Sequence, residues 1–168
     1  MKGARVLTIM GISAAAAMVL SYVESLIPVP FAVPGIKIGL ANIVALFLVM
    51  KLDWKAAGAV SLIRVVLSSL LFGNIASLAY SLAGAFLSIL AMALLKKASI
   101  FSAVGISIAG AVFHNAGQIL AAVIIMSSKE IIYWLPALII SGVVSGLAVG
   151  LVGAVLIKKI DVSKKRSD

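Results

Sequence analysis

Arg64 stands near the middle of an apolar run, flanked by Leu62, Ile63, Val65 and Val66. A guanidinium at the centre of a membrane helix costs about 2.5–3.5 kcal/mol on insertion scales. It must therefore face an aqueous cavity, an acidic partner or an anionic ligand. Acids are scarce: the chain has Glu24, Asp53, Glu130, Asp161 and Asp168. Glu24 is the expected internal partner. An Arg64–Glu24 structural pair and recognition of an anionic substrate group are both open, and they are compatible if a ligand joins the pair.

A second polar group falls at His114-Asn115-Ala116-Gly117-Gln118. His114 and Gln118 are four residues apart and Asn115 and Gln118 three, so the spacing predicts roughly one helical face. Three strongly polar side chains on one face of a spanning helix call for water, a ligand or another helix. The chain has one histidine and no cysteine, so the usual metal-ligand set is missing. No metal and no cofactor are expected. Lys37 and Asn42 could add a cation and an amide above the same cavity, with snorkelling to the interface as the plainer reading of Lys37. Tyr133 and Trp134 fit an aromatic belt at the outer interface.

The elements that must position these residues are apolar. Of 168 residues 64% are hydrophobic and 11% charged, against about 25% charged in soluble domains. The mean hydropathy is +1.28. Six apolar stretches are punctuated by basic residues at alternate junctions. Lys2 and Arg5 precede the first, Lys51 and Lys55 follow the second, and Lys96 and Lys97 follow the fourth. Lys158, Lys159, Lys164, Lys165 and Arg166 follow the sixth. This positive-inside pattern predicts a polytopic membrane protein with both termini cytoplasmic. These flanks hold 11 of the 14 basic residues, so the net charge of +9 is no argument for nucleic acid. Lipid headgroups are the expected partner of those charges.

The expected architecture is all-α: a single integral domain over 1–168, a compact bundle of six transmembrane helices. They are expected at about 5–25, 36–52, 56–72, 75–95, 101–126 and 131–157, with a polar tail over 158–168. The basic start and apolar run resemble a signal peptide. The run from Val6 to Val23 nevertheless approaches the ~20 residues that span a bilayer, beyond a signal core of roughly 7–15. An uncleaved first helix is expected. Its Gly11/Ala15 and Ser13/Ala17 pairs are spaced for close helix approach, either within the chain or to a partner. Pro28, Pro30 and Pro34 break the segment after it. That segment is apolar, which predicts a loop folded onto the protein as a lid.

The segment Pro34-Gly35-Ile36-Lys37-Ile38-Gly39-Leu40-Ala41-Asn42-Ile43-Val44, with His114-Asn115-Ala116-Gly117-Gln118, resembles a bacterial membrane family. It is the family labelled Gx transporter or heptaprenyl diphosphate synthase component I. It is similar to the substrate-binding S components of energy-coupling factor (ECF) transporters. The resemblance covers about residues 5–158. It implies an S-component-like fold and a pocket on the outer side beneath the first loop. It also implies docking of helix 1 on a transmembrane T component, with Gly11/Ala15 and Ser13/Ala17 in the docking positions. ATPase subunits would energise transport, since this chain has no Walker-type phosphate loop.

The prenyl synthase label implies carboxylates that hold magnesium against a diphosphate. The three aspartates are scattered at Asp53, Asp161 and Asp168, so prenyl transfer by this chain alone is not expected. The sequence reading is a membrane substrate-binding subunit for a small, partly anionic molecule. Its site residues are Arg64, His114, Asn115, Gln118, Lys37, Asn42 and Glu24. The alternative is a non-catalytic membrane subunit of a polyprenyl diphosphate synthase, partnered by a soluble prenyl synthase.

Overall fold

The computed structural model describes residues 3–26 and 39–160. Every regular element among them is helical: α1 (Gly3–Ser25), α2 (Asn42–Lys51), α3 (Trp54–Phe72), α4 (Ile75–Ala98), α5 (Ala103–Met126) and α6 (Leu135–Lys159). A six-residue 3₁₀ helix, Lys129–Trp134, leads into α6. Five segments are long and apolar enough to cross a membrane: α1, α3, α4, α5 and the continuous run Lys129–Lys159. The chain is a multi-pass membrane protein.

The helix starts follow from capping chemistry. Asp53 accepts a hydrogen bond from the Ala56 N–H at 2.7 Å and opens α3. Asn74 and Ser77 form a reciprocal capping box at the start of α4. Ser102 caps α5 through the Gly105 N–H. Pro136 lies in the first turn of α6, where a missing N–H costs nothing.

The second helix departs from the expected span over 36–52. It begins at Asn42 and has 10 residues, a length of about 15 Å at 1.5 Å per residue. The hydrocarbon core is about 30 Å thick, so α2 cannot cross it. Gly39 sets this start with φ +91°, in the left-handed region. Three successive N–H groups, of Asn42, Ile43 and Val44, then bond to carbonyls three residues back, in a tight turn leading into the helix. Most of α2 is buried, including Leu46 and Leu48.

Close backbone approach welds α4, α5 and α6 together. A Cβ at Gly117 would lie 2.6 Å from the Ala83 carbonyl oxygen, and one at Gly146 would lie 2.7 Å from Ile108 Cα. Such glycines let membrane helices pack backbone to backbone. In contrast, among the described elements α1 leans on α3 and otherwise touches α2. Its buried residues are Ser13, Ala17, Ser21 and Glu24, one stripe facing the bundle.

Two apolar clusters bracket the interior. The larger gathers α2 with Val60, Ile89, Met92 and Ile106, and takes in Met10, Leu95 and Ile157. The smaller holds Tyr80, Ile119, Ala122, Ile131 and Leu138. The Lys96 ammonium donates to the Val49 carbonyl at 2.5 Å, tying the basic ends of α4 and α2 together. Arg5, Lys51, Lys55, Lys96, Lys97, Lys158 and Lys159 thus flank one end of the bundle, beside the larger cluster.

Candidate functional site

Between the two apolar clusters lies a buried polar layer. Along α5 the order is Ile106 in one cluster, then His114, Asn115 and Gln118, then Ile119 and Ala122 in the other. His114 and Gln118 press against Gly84 of α4. A Cβ there would lie 2.8 Å from the His114 carbonyl oxygen and 3.0 Å from Gln118 Cγ. Glycine at position 84 therefore lets the polar face of α5 sit directly on α4.

Asn115 does not share that face. Its amide nitrogen donates to the Leu138 carbonyl at 2.7 Å, bonding α5 to the first turn of α6. Successive residues differ by about 100° around a helix axis, which separates Asn115 from His114. The one-face expectation holds for His114 with Gln118, and Asn115 is turned to the α5–α6 seam.

Glu24 and Arg64 form the second half of the layer. Glu24 is buried on the last turn of α1, and Arg64 is 4% exposed in the middle of α3. The two interact electrostatically, as the scarcity of acids predicts. The Glu24 carboxylate also accepts a hydrogen bond from the Gly39 backbone N–H.

The turn at Gly39 joins the halves. A Cβ at Gly39 would lie 2.8 Å from the Asn42 amide nitrogen and 3.9 Å from His114 Cδ2. Glu24, Gly39, Asn42 and His114 thus follow one another across the bundle. The Asn42 amide nitrogen, the Asn115 amide oxygen and both amide atoms of Gln118 are buried without a hydrogen-bond partner among the described residues. Buried polar groups are bonded in roughly 90% or more of cases, so this concentration marks a place built for polar contact.

Several serines extend the layer. Ser61 and Ser68 lie three and four residues from Arg64 and are buried with it, and Ser21 is buried on the same stripe of α1 as Glu24. The Ser21 and Ser69 hydroxyls are also unpartnered. Sequence reasoning missed them. Their spacing from Arg64 and Glu24 was the available signal.

Lys37 and the proline-rich segment read as a lid lie outside the described residues. The helix 1 pairs separate: Ser13 and Ala17 face α3 and the core, whereas Gly11 and Ala15 are exposed. Tyr133 is 82% exposed, in keeping with an interfacial position. The described carboxylates are dispersed, with Glu24 in the layer, Asp53 capping α3 and Glu130 in the 3₁₀ helix.

The layer offers a guanidinium, an imidazole and amides with both donor and acceptor atoms. These suit a molecule with an anionic group and neighbouring hydrogen-bonding groups. The family model described as heptaprenyl diphosphate synthase component I matches residues 13–156. No curated protein and no solved structure matches the chain.

Proposed function

The chain belongs to the heptaprenyl diphosphate synthase component I family, and on that premise we propose that its role is binding. It is a membrane substrate-binding subunit that captures a small, partly anionic molecule in the polar layer, from the end opposite the basic flanks. The observation that carries this reading is Gln118, wholly buried beside His114, with neither amide atom partnered among the described residues. An unbonded buried amide costs about 1–3 kcal/mol, and a ligand that bonds it recovers that cost.

In this reading Arg64 neutralises charge with Glu24 as its counter-ion. His114, Gln118 and Asn42 give direction, Asn115 holds the wall through Leu138, and Lys37 adds a second cation. The protein sits in a bacterial cytoplasmic membrane with both termini inside. It works with T and ATPase subunits of an ECF-type complex, docking through the exposed Gly11/Ala15 face of α1.

Family membership favours a second reading. The chain would then be the non-catalytic membrane subunit of a polyprenyl diphosphate synthase, with the carboxylates for magnesium on a soluble partner. Native mass spectrometry of the detergent-purified protein tests the binding role. A retained small anion, lost in Arg64→Ala, supports it, and full ligand retention in both Arg64→Ala and Gln118→Ala sinks the site. Co-purification separates the readings: T and ATPase subunits for the first, an Asp-rich soluble synthase for the second.

A further inference from the structure

A groove between α3 and α4 borders the polar layer at Ser61 and runs from there toward the basic end of the bundle. It encloses about 1010 Å³, at the top of the ~300–1,000 Å³ range of small-molecule sites. Leu62, Phe86, Ile89 and Leu90 give it apolar walls, and Gly58 gives it depth. Trp54 and Lys55 from the start of α3 meet Lys96 and Lys97 from the end of α4 at its mouth. No acid lines it.

The mouth is ordered. Lys96 is anchored to the Val49 carbonyl at 2.5 Å, which leaves further N–H donors on the same ammonium. The Lys55 ammonium sits 5.7 Å from the centroid of the Trp54 ring, within cation–π range. Trp54 is exposed, as an interfacial tryptophan is. Below the mouth, the stretch of α4 from Leu94 back to Leu82 is about 18 Å long at 1.5 Å per residue. Half of a ~30 Å hydrocarbon core is similar. The groove thus has the depth of one leaflet, with its cations at headgroup level.

We propose that this groove binds one anionic phospholipid from the leaflet at the basic end of the bundle. An acyl chain lies along α4 and the phosphate is held among Lys55, Lys96 and Lys97. Charge complementarity selects the occupant. The headgroup ammonium of a zwitterionic lipid would face three lysines, whereas a net-anionic headgroup meets only attraction. Basic pockets between helices at the cytoplasmic face recognise acidic headgroups in this way. The site does not depend on the transport or synthase reading, since its lysines and apolar walls lie outside the polar layer and Ser61 is the named layer residue that also lines the groove.

The test is native mass spectrometry of the full chain in mild detergent. Phosphatidylglycerol and phosphatidylcholine with identical acyl chains are supplied at equal concentration. Phosphatidylglycerol is expected to be retained preferentially. Lys55→Gln and Lys97→Gln should each lower that preference by about fivefold, the effect of one basic residue at an anionic surface. Ala93→Phe, which fills the groove, should release both lipids. The double variant Lys158→Gln/Lys159→Gln, at the same end but outside the groove, should change nothing. Equal retention of the two lipids overturns the proposal, as does equal sensitivity to Lys158 and Lys159. Displacement of phosphatidylglycerol by an equimolar 15-carbon isoprenyl diphosphate also overturns it, because the groove would then select an isoprenoid.

Discussion

The Glu24 carboxylate, on the last turn of α1, accepts a hydrogen bond from the backbone N–H of Gly39, 15 residues further along the chain. Gly39 has φ +91° and turns the chain into α2. Glu24 also interacts with Arg64 of α3. One carboxylate therefore holds the C-terminal end of α1, the entry to α2 and the charge of α3 in register. Because α1 otherwise packs mainly on α3, this contact links it to the polar layer.

Glu24 is accordingly expected to matter more for stability than its single hydrogen bond implies. Glu24→Ala removes the acceptor for Gly39 and strips Arg64 of this counter-charge. Breaking a buried ion pair from one side costs about 3–5 kcal/mol. Glu24→Gln keeps an oxygen for the Gly39 N–H and is expected to cost less. Thermal unfolding in detergent should rank the variants wild type, Gln, Ala, and equal Tm values would dissolve the proposed link.

Gly39→Ala tests the turn itself. A left-handed backbone costs a side-chain-bearing residue roughly 1–2 kcal/mol. The new methyl would also lie 2.8 Å from the Asn42 amide nitrogen, displacing a member of the site. Lower Tm and weaker ligand retention are expected together. Gly58→Ala is the contrast. Nothing lies within 4 Å of its Cβ position, so the better helix former is expected to hold Tm or raise it, with a stability gain of up to about 1 kcal/mol.

The two small-residue pairs of α1 should separate by assay. A Cβ at Gly11 meets nothing within 4 Å, and Gly11 is exposed. Gly11→Leu is expected to leave the Tm of the purified chain unchanged while abolishing co-purification of a membrane partner. Ser13 is buried against the bundle. Ser13→Leu overpacks that seam, at about 1–3 kcal/mol, and is expected to lower Tm whether or not a partner is present. Normal partner recovery with Gly11→Leu would place docking elsewhere.

Sequence pattern alone carried the long helices well, because each is a long apolar run, and α3, α4 and α5 also begin at side-chain caps. Asp53 before α3 and the Asn74/Ser77 box before α4 are such signals. The start of α2 carries no polar cap, and the residues before it are as apolar as a span. Only Gly39 marks the break, and a glycine reveals its positive φ only in three dimensions. The buried polar layer was readable to the extent that charge in lipid is costly, which singled out Arg64, Glu24 and the His114–Gln118 pair. Asn115 was grouped with His114 and Gln118 on one face, because spacing cannot say which adjacent helix offers a carbonyl. Leu138 offers it, 23 residues away. The buried serines escaped notice because a hydroxyl in a membrane helix is tolerated at little cost, and spacing from Arg64 and Glu24 was the one signal that set Ser68 and Ser21 apart from ordinary packing residues.

Gln118 gives the sharpest test, because stability and function should move in opposite directions. Its side chain is fully buried, and neither amide atom has a hydrogen-bond partner among the described residues. Met is close to Gln in shape and carries no amide to satisfy. Replacing an unbonded buried amide by an apolar isostere removes a penalty of about 1–3 kcal/mol. Gln118→Met is therefore expected to raise the Tm of the ligand-free protein. The same change removes a donor and an acceptor from the proposed pocket. The ligand-induced rise in Tm, which grows with ligand concentration over Kd, should shrink or vanish. A protein that merely needs a packed core at this position would gain stability and keep its ligand response. A fall in Tm would mean that the amide is bonded within the chain, and would remove Gln118 from the site.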